Sequence, residues 1–315
     1  MTITSSDNLH SPYRHRKVLV TGASGFIGAP LCRRLIENGA EVYGVSRSAQ
    51  QPIGQLHWFQ ADPADLGTLR QILTDTKPDI IFHLAGLSSA ATDIELVIPT
   101  FHSLLASTVY LLSTAAGLGC SRIVLPASLT EPAPSEIDPT PGSPYAAAKW
   151  AASAYGRMFF KLYGSPVVMV RPFMTYGPGQ RANKLVPYVI LAALHGEVPK
   201  VSSGQWEADW IYIDDVVDGF SAAGYTPGID GMTIDLGSGA LTSVRAVVQK
   251  IIELTDQRVQ PVFGAHSDRP YEKVRVAETG LAYTTLRWKA RTSINEGLAR
   301  TVDWLRHQAK ENCPV

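Results

Sequence analysis

The run Thr21-Gly22-Ala23-Ser24-Gly25-Phe26-Ile27-Gly28 constrains the fold of this chain more than any other feature. It follows a short apolar stretch, Lys17–Thr21, and opens a segment of helical periodicity at about 26–38. Gly22 permits a tight turn, Gly25 lets the backbone approach a pyrophosphate, and Gly28 lets helix and strand pack closely. The helix N-terminus then presents N–H groups and a partial positive charge to an anion. Glycines alone are weak evidence, and the strand–turn–helix context is what gives them force. The spacing is GxxGxxG rather than GxGxxG.

Beyond the turn the chain keeps the same strand–helix rhythm. Strands are expected at Lys17–Thr21, Glu41–Ser46, Leu56–Gln60, Ile80–Leu84, Arg122–Pro126 and Val167–Arg171, with helices at about 26–38, 65–76, 98–118 and 145–163 between them. Short strands alternating with helices imply βαβ units and a parallel sheet. Runs such as Val18-Leu19-Val20 and Ile80-Ile81-Phe82 are apolar throughout, as strands covered on both faces are. The fold class expected is α/β, a doubly wound parallel sheet with a smaller C-terminal α/β substrate-binding cap. Residues 1–16 read as a flexible lead and 17–172 as the dinucleotide-binding domain, with a strand–helix unit at 208–224 returning to it. Residues 173–207 and 225–315 read as the cap, with helices at about 184–195, 242–254 and 292–308.

Composition narrows the function classes. With 315 residues and a formal net charge of zero, the chain offers no electrostatic case for nucleic acid or an anionic membrane. No run reaches the roughly 18 uninterrupted apolar residues of a membrane helix, and the polar residues 1–12 do not read as a signal peptide. Cys32, Cys120 and Cys313 are odd in number and far apart, which suits a reducing, cytoplasmic setting and neither a disulfide framework nor a zinc site. No metal is expected.

The second strand refines the ligand. NAD enzymes place an acid about 20 positions beyond the glycine turn to hold the ribose 2′-hydroxyl. Here that stretch is Gly44-Val45-Ser46-Arg47-Ser48, with no acid. Ser46 and Arg47 suit a 2′-phosphate, because guanidinium offers a planar charged fork. NADP(H) is therefore expected over NAD(H), with Asp62 placed to meet the adenine amine. Further along, Tyr145 and Lys149 stand four residues apart on one helix face. A nearby ammonium favours the phenolate and lowers the phenol pKa, so Tyr145 can exchange a proton with a substrate oxygen during hydride transfer. Ser128, just past the Arg122–Pro126 strand, would hydrogen-bond the same oxygen.

On these residues the chain resembles the extended short-chain dehydrogenase/reductase family, in its branch of nucleotide-sugar epimerases, dehydratases and 4-keto reductases. The similarity runs from about Lys17 to Arg306. It takes in Phe82-His83-Leu84-Ala85-Gly86, Ser143-Pro144-Tyr145 with Lys149, Arg171–Gln180 and Asp209–Val216. The resemblance implies Ser128, Tyr145 and Lys149 as the catalytic set. It implies cofactor contacts from Gly22, Ser24, Gly25, Phe26, Ile27, Gly28, Ser46, Arg47, Ser48, Asp62, Pro63, Leu84, Ala85, Gly86, Ser103, Pro172 and Phe173. Substrate contacts are implied for Ser88, Thr130, Met174, Thr175, Lys184, Leu185 and Arg269. It also implies a homodimer through a four-helix bundle of the helices at 98–118 and 145–163.

The departures from the family carry the finer information. In 4,6-dehydratases the serine position is followed by Asp-Glu, whereas here Leu129 and Thr130 follow, and Glu131 comes one position late. Thr130 also stands where C3/C5-epimerising reductases often have cysteine. Glu131-Pro132-Ala133 replaces the usual Val-Tyr-Gly, and prolines 132, 134, 139 and 141 make the segment a stiff lip. Met174 replaces a common asparagine and Ala208 a common diphosphate-binding arginine, while Arg269 matches a second such arginine and Arg181 and Lys184 offer substitute charge. Trp206, Trp210 and Tyr212 read either as a nucleobase stack or as an aromatic strand, His83 as a core residue, and Asp214-Asp215 as an N-cap pair.

The expectation is an NADP(H)-dependent reductase of the C4 keto group of a nucleoside-diphosphate 6-deoxysugar. A nucleotide-sugar C4 epimerase with retained cofactor uses the same three residues. A reductase of a small non-nucleotide carbonyl and a non-catalytic cofactor-binding protein are the further alternatives.

Overall fold

Seven strands build the sheet on which the glycine turn sits, in the order β10-β6-β5-β4-β1-β2-β3. The computed structural model describes residues 11–51, 54–133, 136–255, 259–268 and 272–311. The strands are β1 (Lys17–Thr21), β2 (Glu41–Ser46), β3 (Leu56–Gln60), β4 (Ile80–His83), β5 (Arg122–Pro126), β6 (Val167–Pro172) and β10 (Thr233–Leu236). The pairs joining β1 to β6 are all parallel. Strand order reverses between β1 and β4, so the carboxyl ends of those two strands flank the crevice where such sheets bind ligands. Register puts Thr21 beside both Val45 and His83 there.

The helices start and stop on local signals. In α2 (Leu66–Thr76) the Asp65 side chain accepts the Thr68 N–H at 2.9 Å. In α5 (Pro144–Tyr163) Ser143 Oγ accepts the Ala146 N–H at 3.2 Å, proline opens the first turn, and Gly164 closes the helix in the left-handed region at φ 64°. Ser-Pro before and Gly after fix where Tyr145 and Lys149 fall along α5. The helix expected at 98–118 begins earlier: Ile94–Ala115 is continuous, with α3 (Val97–Thr100), a π turn at Phe101–Ala106 and α4 (Ser107–Ala115). By length and composition alone it could cross a membrane, but Leu104, Leu111, Leu112 and Ala115 are buried in the folded chain.

The chain divides into two units. The first holds residues to Arg171 with Val217–Ile234 and Tyr283–Trp288, and the second holds Pro172–Val216, Asp235–Ala282 and the residues from Lys289. The expected return of 208–224 is shifted, because β9 (Glu207–Tyr212) pairs not with the large sheet but with β7 (Met174–Tyr176) and β11 (Leu241–Ser243). What belongs to the first unit is α7 (Ile213–Tyr225) from Val217 onward, and the start of β10 up to Ile234. Arg122 anchors this segment, donating to Asp230 Oδ1 at 2.5 Å and the Thr226 carbonyl at 2.7 Å. The lead is also corrected: Tyr13 is buried and its hydroxyl donates to the Ser221 carbonyl at 2.5 Å, so residues 11–16 are tied down.

The second unit has a core of its own, in which α6 (Leu185–Leu194), α8 (Val244–Thr255) and α10 (Ile294–Glu311) pack together. A two-stranded pair, β8 (Lys200–Val201) with β12 (Val262–Phe263), completes its strands, and α9 (Thr279–Leu286) begins in it.

Candidate active site

Backbone shape makes the glycine turn. Gly22 lies in the left-handed region at φ 68°, and a Cβ there would come within 2.7 Å of the Ala85 nitrogen. A Cβ on Gly28 would collide with the Gly22 carbonyl. Helix α1 (Gly28–Glu37) has no side-chain cap and no acid in its first turn, so no side-chain carboxylate competes with an anion at its N-terminus. These are the conditions a diphosphate needs, so the residues present fit a dinucleotide cofactor. The neighbouring strand end is drawn in: Leu84 N–H donates to the Thr21 carbonyl at 3.1 Å and Ala85 N–H to Thr21 Oγ1 at 3.2 Å.

The other cofactor candidates cluster along the same edge. Ser46 is buried at the end of β2, its Oγ hydrogen-bonded to Ser24 Oγ at 3.0 Å and accepting the Ser48 N–H at 3.3 Å. Arg47 and Ser48 beside it are exposed. Asp62, also exposed, accepts the Ala64 N–H at 2.9 Å, and Pro63 is buried behind it. Gly86 and Ser88 are exposed, and Ser103 Oγ accepts the Leu87 N–H at 3.3 Å while donating to the Pro99 carbonyl at 2.7 Å. Phe26 and Ile27 are half-buried at the turn.

Ser128, Tyr145 and Lys149 come together inside the first unit. The Ser128 and Tyr145 side chains are hydrogen-bonded to each other, and Thr130 Oγ1 lies 2.8 Å from Ser128 Oγ. Lys149 is buried, and its ammonium donates to the Pro126 carbonyl at 2.8 Å. That contact corrects one expectation: the ammonium is engaged by a backbone carbonyl, and it does not pull the phenol down. Burial instead raises the Tyr145 pKa; the Ser128 hydrogen bond lowers it in part, and the Glu131 charge raises it further. Burial pulls Lys149 down to about 8, against the charge of Glu131. A cavity of about 10 Å³ beside Lys149, lined also by His83, Thr108 and Ser153, is near the minimum for one water molecule.

His83 is a core residue. Its ring nitrogens lie 2.9 Å from Thr21 Oγ1 and 3.2 Å from Ser107 Oγ, and burial with the Lys149 charge holds its pKa at about 3.

Sequence reasoning gave Glu131 no role. It is buried, with Oε1 accepting the Ser128 N–H at 2.7 Å and the Ser153 hydroxyl at 2.9 Å, and Oε2 4.0 Å from Arg171. An acid in a proline-rich loop, 22 positions before a serine on a helix with small buried residues, is the signal that was available.

In the second unit, Phe173 is buried and its N–H donates to the Leu236 carbonyl at 2.9 Å, next to Pro172. Met174 and Thr175 pair with Trp210 and Ile211. Lys184 and Leu185 open α6, and Arg181 is exposed ahead of them. Arg269 lies outside the described residues. Ala208 is buried opposite Thr242. Trp210 and Tyr212 are buried edge-on to Tyr176, which makes them core rather than a nucleobase stack, and the Trp206 indole donates to the Lys273 carbonyl at 3.3 Å. The Asp214-Asp215 pair is not an N-cap: both lie within the first turn of α7, and Asp215 accepts the N–H groups of Arg291 and Thr292 at 3.0 Å each. Among the described residues, no group of three or more His, Cys, Asp or Glu side chains could hold a metal ion.

Known proteins resemble this chain over nearly its whole length. A UDP-glucose 4-epimerase from Mycolicibacterium smegmatis is 29% identical, covering 93% of this chain and 100% of that one. A dTDP-glucose 4,6-dehydratase from Haemophilus influenzae is 27% identical, covering 91% and 97%. The solved structure of MoeE5 in complex with UDP-glucose and NAD superposes with a TM-score of 0.84 at 28% identity, covering 93% and 99%. The model of the NAD dependent epimerase/dehydratase family matches residues 18–229. The chain belongs to that family.

Proposed function

We propose that this protein reduces the C4 keto group of a nucleoside-diphosphate 6-deoxysugar with NADPH. The observation that carries the reading is that Ser128, Tyr145 and Lys149 come together beside a loop without the carboxyl pair of water elimination; the resting phenol is protonated, the form from which it gives a proton to a new alkoxide. Ser128, hydrogen-bonded to Tyr145, orients the carbonyl oxygen. Lys149, one helical turn on from Tyr145, is buried and held by the Pro126 carbonyl, in place to carry a proton or orient the cofactor. The nicotinamide cofactor supplies the hydride when bound. Ser46 and Arg47, with no acid at the end of β2, support the phosphorylated form; Arg47 is exposed and its backbone carbonyl accepts from Gln60. The pair following Ser128, Leu129-Thr130, lacks the carboxyl groups that water elimination needs, and Glu131 is spent on Ser128 and Ser153.

Ser88, Thr130, Met174, Thr175, Lys184, Leu185 and Arg269 are proposed as substrate contacts through the family resemblance. A homodimer is proposed through a four-helix bundle of the helices expected at 98–118 (here Ile94–Ala115) and 145–163 (α5), supported by the exposed Ile94, Ile98, Phe101, Leu162 and Tyr163; light scattering reads the mass directly.

A second reading, C4 epimerisation with retained cofactor, is favoured by the 29% identity to a UDP-glucose 4-epimerase. Stoichiometric NADPH with dTDP-4-keto-6-deoxyglucose separates the two. Loss of 340 nm absorbance in step with the keto sugar supports reduction. Isomer exchange of UDP-glucose and UDP-galactose with no such loss would replace it with epimerisation.

A further inference from the structure

The loop after β5 carries a buried acid that the proposed chemistry does not consume. Glu131 Oε1 receives two hydrogen bonds from groups far apart in function: the Ser128 N–H at 2.7 Å, and the hydroxyl of Ser153, one turn beyond Lys149 on α5, at 2.9 Å. The loop bearing Ser128 is thereby fastened to the helix bearing Tyr145 and Lys149. Glu131 Oε2 faces Arg171 near the end of β6 at 4.0 Å. The other charged or titratable groups around it are Tyr145 and Lys149 on α5, with His83 on the far side of Lys149. Both Ser153 and Glu131 are buried, where a hydrogen bond to a charged group is worth most.

We propose that Glu131 is a positioning residue, which locks the Ser128 loop to α5 through Ser153 and sets a fixed negative charge beside the Tyr145/Lys149 pair. This rests on the reading of Ser128, Tyr145 and Lys149 as the reacting set. The charge has a direction of action. It favours the protonated forms of both Tyr145 and Lys149, so the pair holds its protons at rest.

Two variants of the full chain separate tether from charge without any substrate. Glu131→Gln keeps an oxygen for Ser128 and Ser153 but removes the charge. With ¹³Cε-lysine labelling, the Lys149 midpoint, near 8 in the parent, should fall by about half a unit or more. Ser153→Ala cuts one leg of the tether and leaves the charge. The Ser128 amide should then exchange with deuterium at least about fivefold faster, with the Lys149 midpoint unchanged. A Lys149 midpoint in Glu131→Gln equal to that of the parent, or an unchanged Ser128 exchange rate in Ser153→Ala, overturns the proposal. If the parent turns over no nucleotide keto sugar, the functional reading fails, and both of these readouts still decide the role of Glu131.

Discussion

Two stretches of the first unit face each other in kind: the glycine turn after β1 and the serine loop after β5. The turn is built from backbone. Gly22 and Gly28 are required because a Cβ would strike the Ala85 nitrogen or the Gly22 carbonyl, and no side chain caps α1. The serine loop is built from side chains: Ser128 bonds Thr130, Glu131 and Tyr145, and Glu131 accepts from Ser153. A backbone cradle tolerates one residue type and changes little. A side-chain network can be rewired one residue at a time. The glycine turn therefore admits few residue types, whereas the serine loop depends on which side chains meet.

The largest expected effect tests the loop. Tyr145→Phe removes the proposed proton donor, and kcat should fall by about 10²–10⁴-fold with cofactor affinity, read by fluorescence titration, unchanged. A smaller loss would move the proton to another group.

Next comes a stability effect of opposite sign. Lys149 is buried with its pKa pulled from 10.5 to about 8, so below pH 8 its burial costs the fold about 3 kcal/mol. Between about 8 and 10.5 the folded state gives up the proton before the unfolded state does, and the cost fades. Lys149→Met should therefore be inactive yet more stable to urea at pH 7, by up to about 3 kcal/mol, with the gain vanishing as pH approaches 10.5. No gain at pH 7 would mean that the Pro126 hydrogen bond offsets the burial.

The turn yields the third test. Gly28→Val overpacks the contact with Gly22, costing about 1–3 kcal/mol, and cofactor affinity should weaken about tenfold or more while Tyr145→Phe leaves it alone. Equal cofactor loss from both variants would erase the contrast between the regions. Smallest is Arg47→Ala: an exposed charge on a 2′-phosphate contributes about 1 kcal/mol, so the NADPH/NADH affinity ratio should fall about fivefold. An unchanged ratio would leave Ser46, or nothing, as the basis of preference.

The legibility of the fold in the sequence divides along the same line. Strands β1, β2, β3 and β5 lie where the apolar runs end on polar or turn residues, and α5 lies between its Ser-Pro start and glycine stop. These signals are local. Strand β10 was missed because Thr233-Ile234-Asp235-Leu236 is short and carries an acid; its place depends on distant partners, with the Met169 N–H donating to the Met232 carbonyl at 2.9 Å. The site shows the same limit. Tyr145 and Lys149 could be read from spacing, whereas the direction of the Tyr145 shift could not, because it depends on burial and on where Lys149 points. Glu131 was visible as a misplaced acid, and its function emerges only when the loop closes onto Ser153.

The most direct test tracks the hydride and the proton together. The protein is mixed with dTDP-4-keto-6-deoxyglucose and NADPH deuterated on both faces at C4 of the nicotinamide, and the sugar product is weighed by mass spectrometry. The account predicts one deuterium at sugar C4 with Tyr145 present and almost no product with Tyr145→Phe. A product without deuterium, or one formed equally well by the variant, would contradict it.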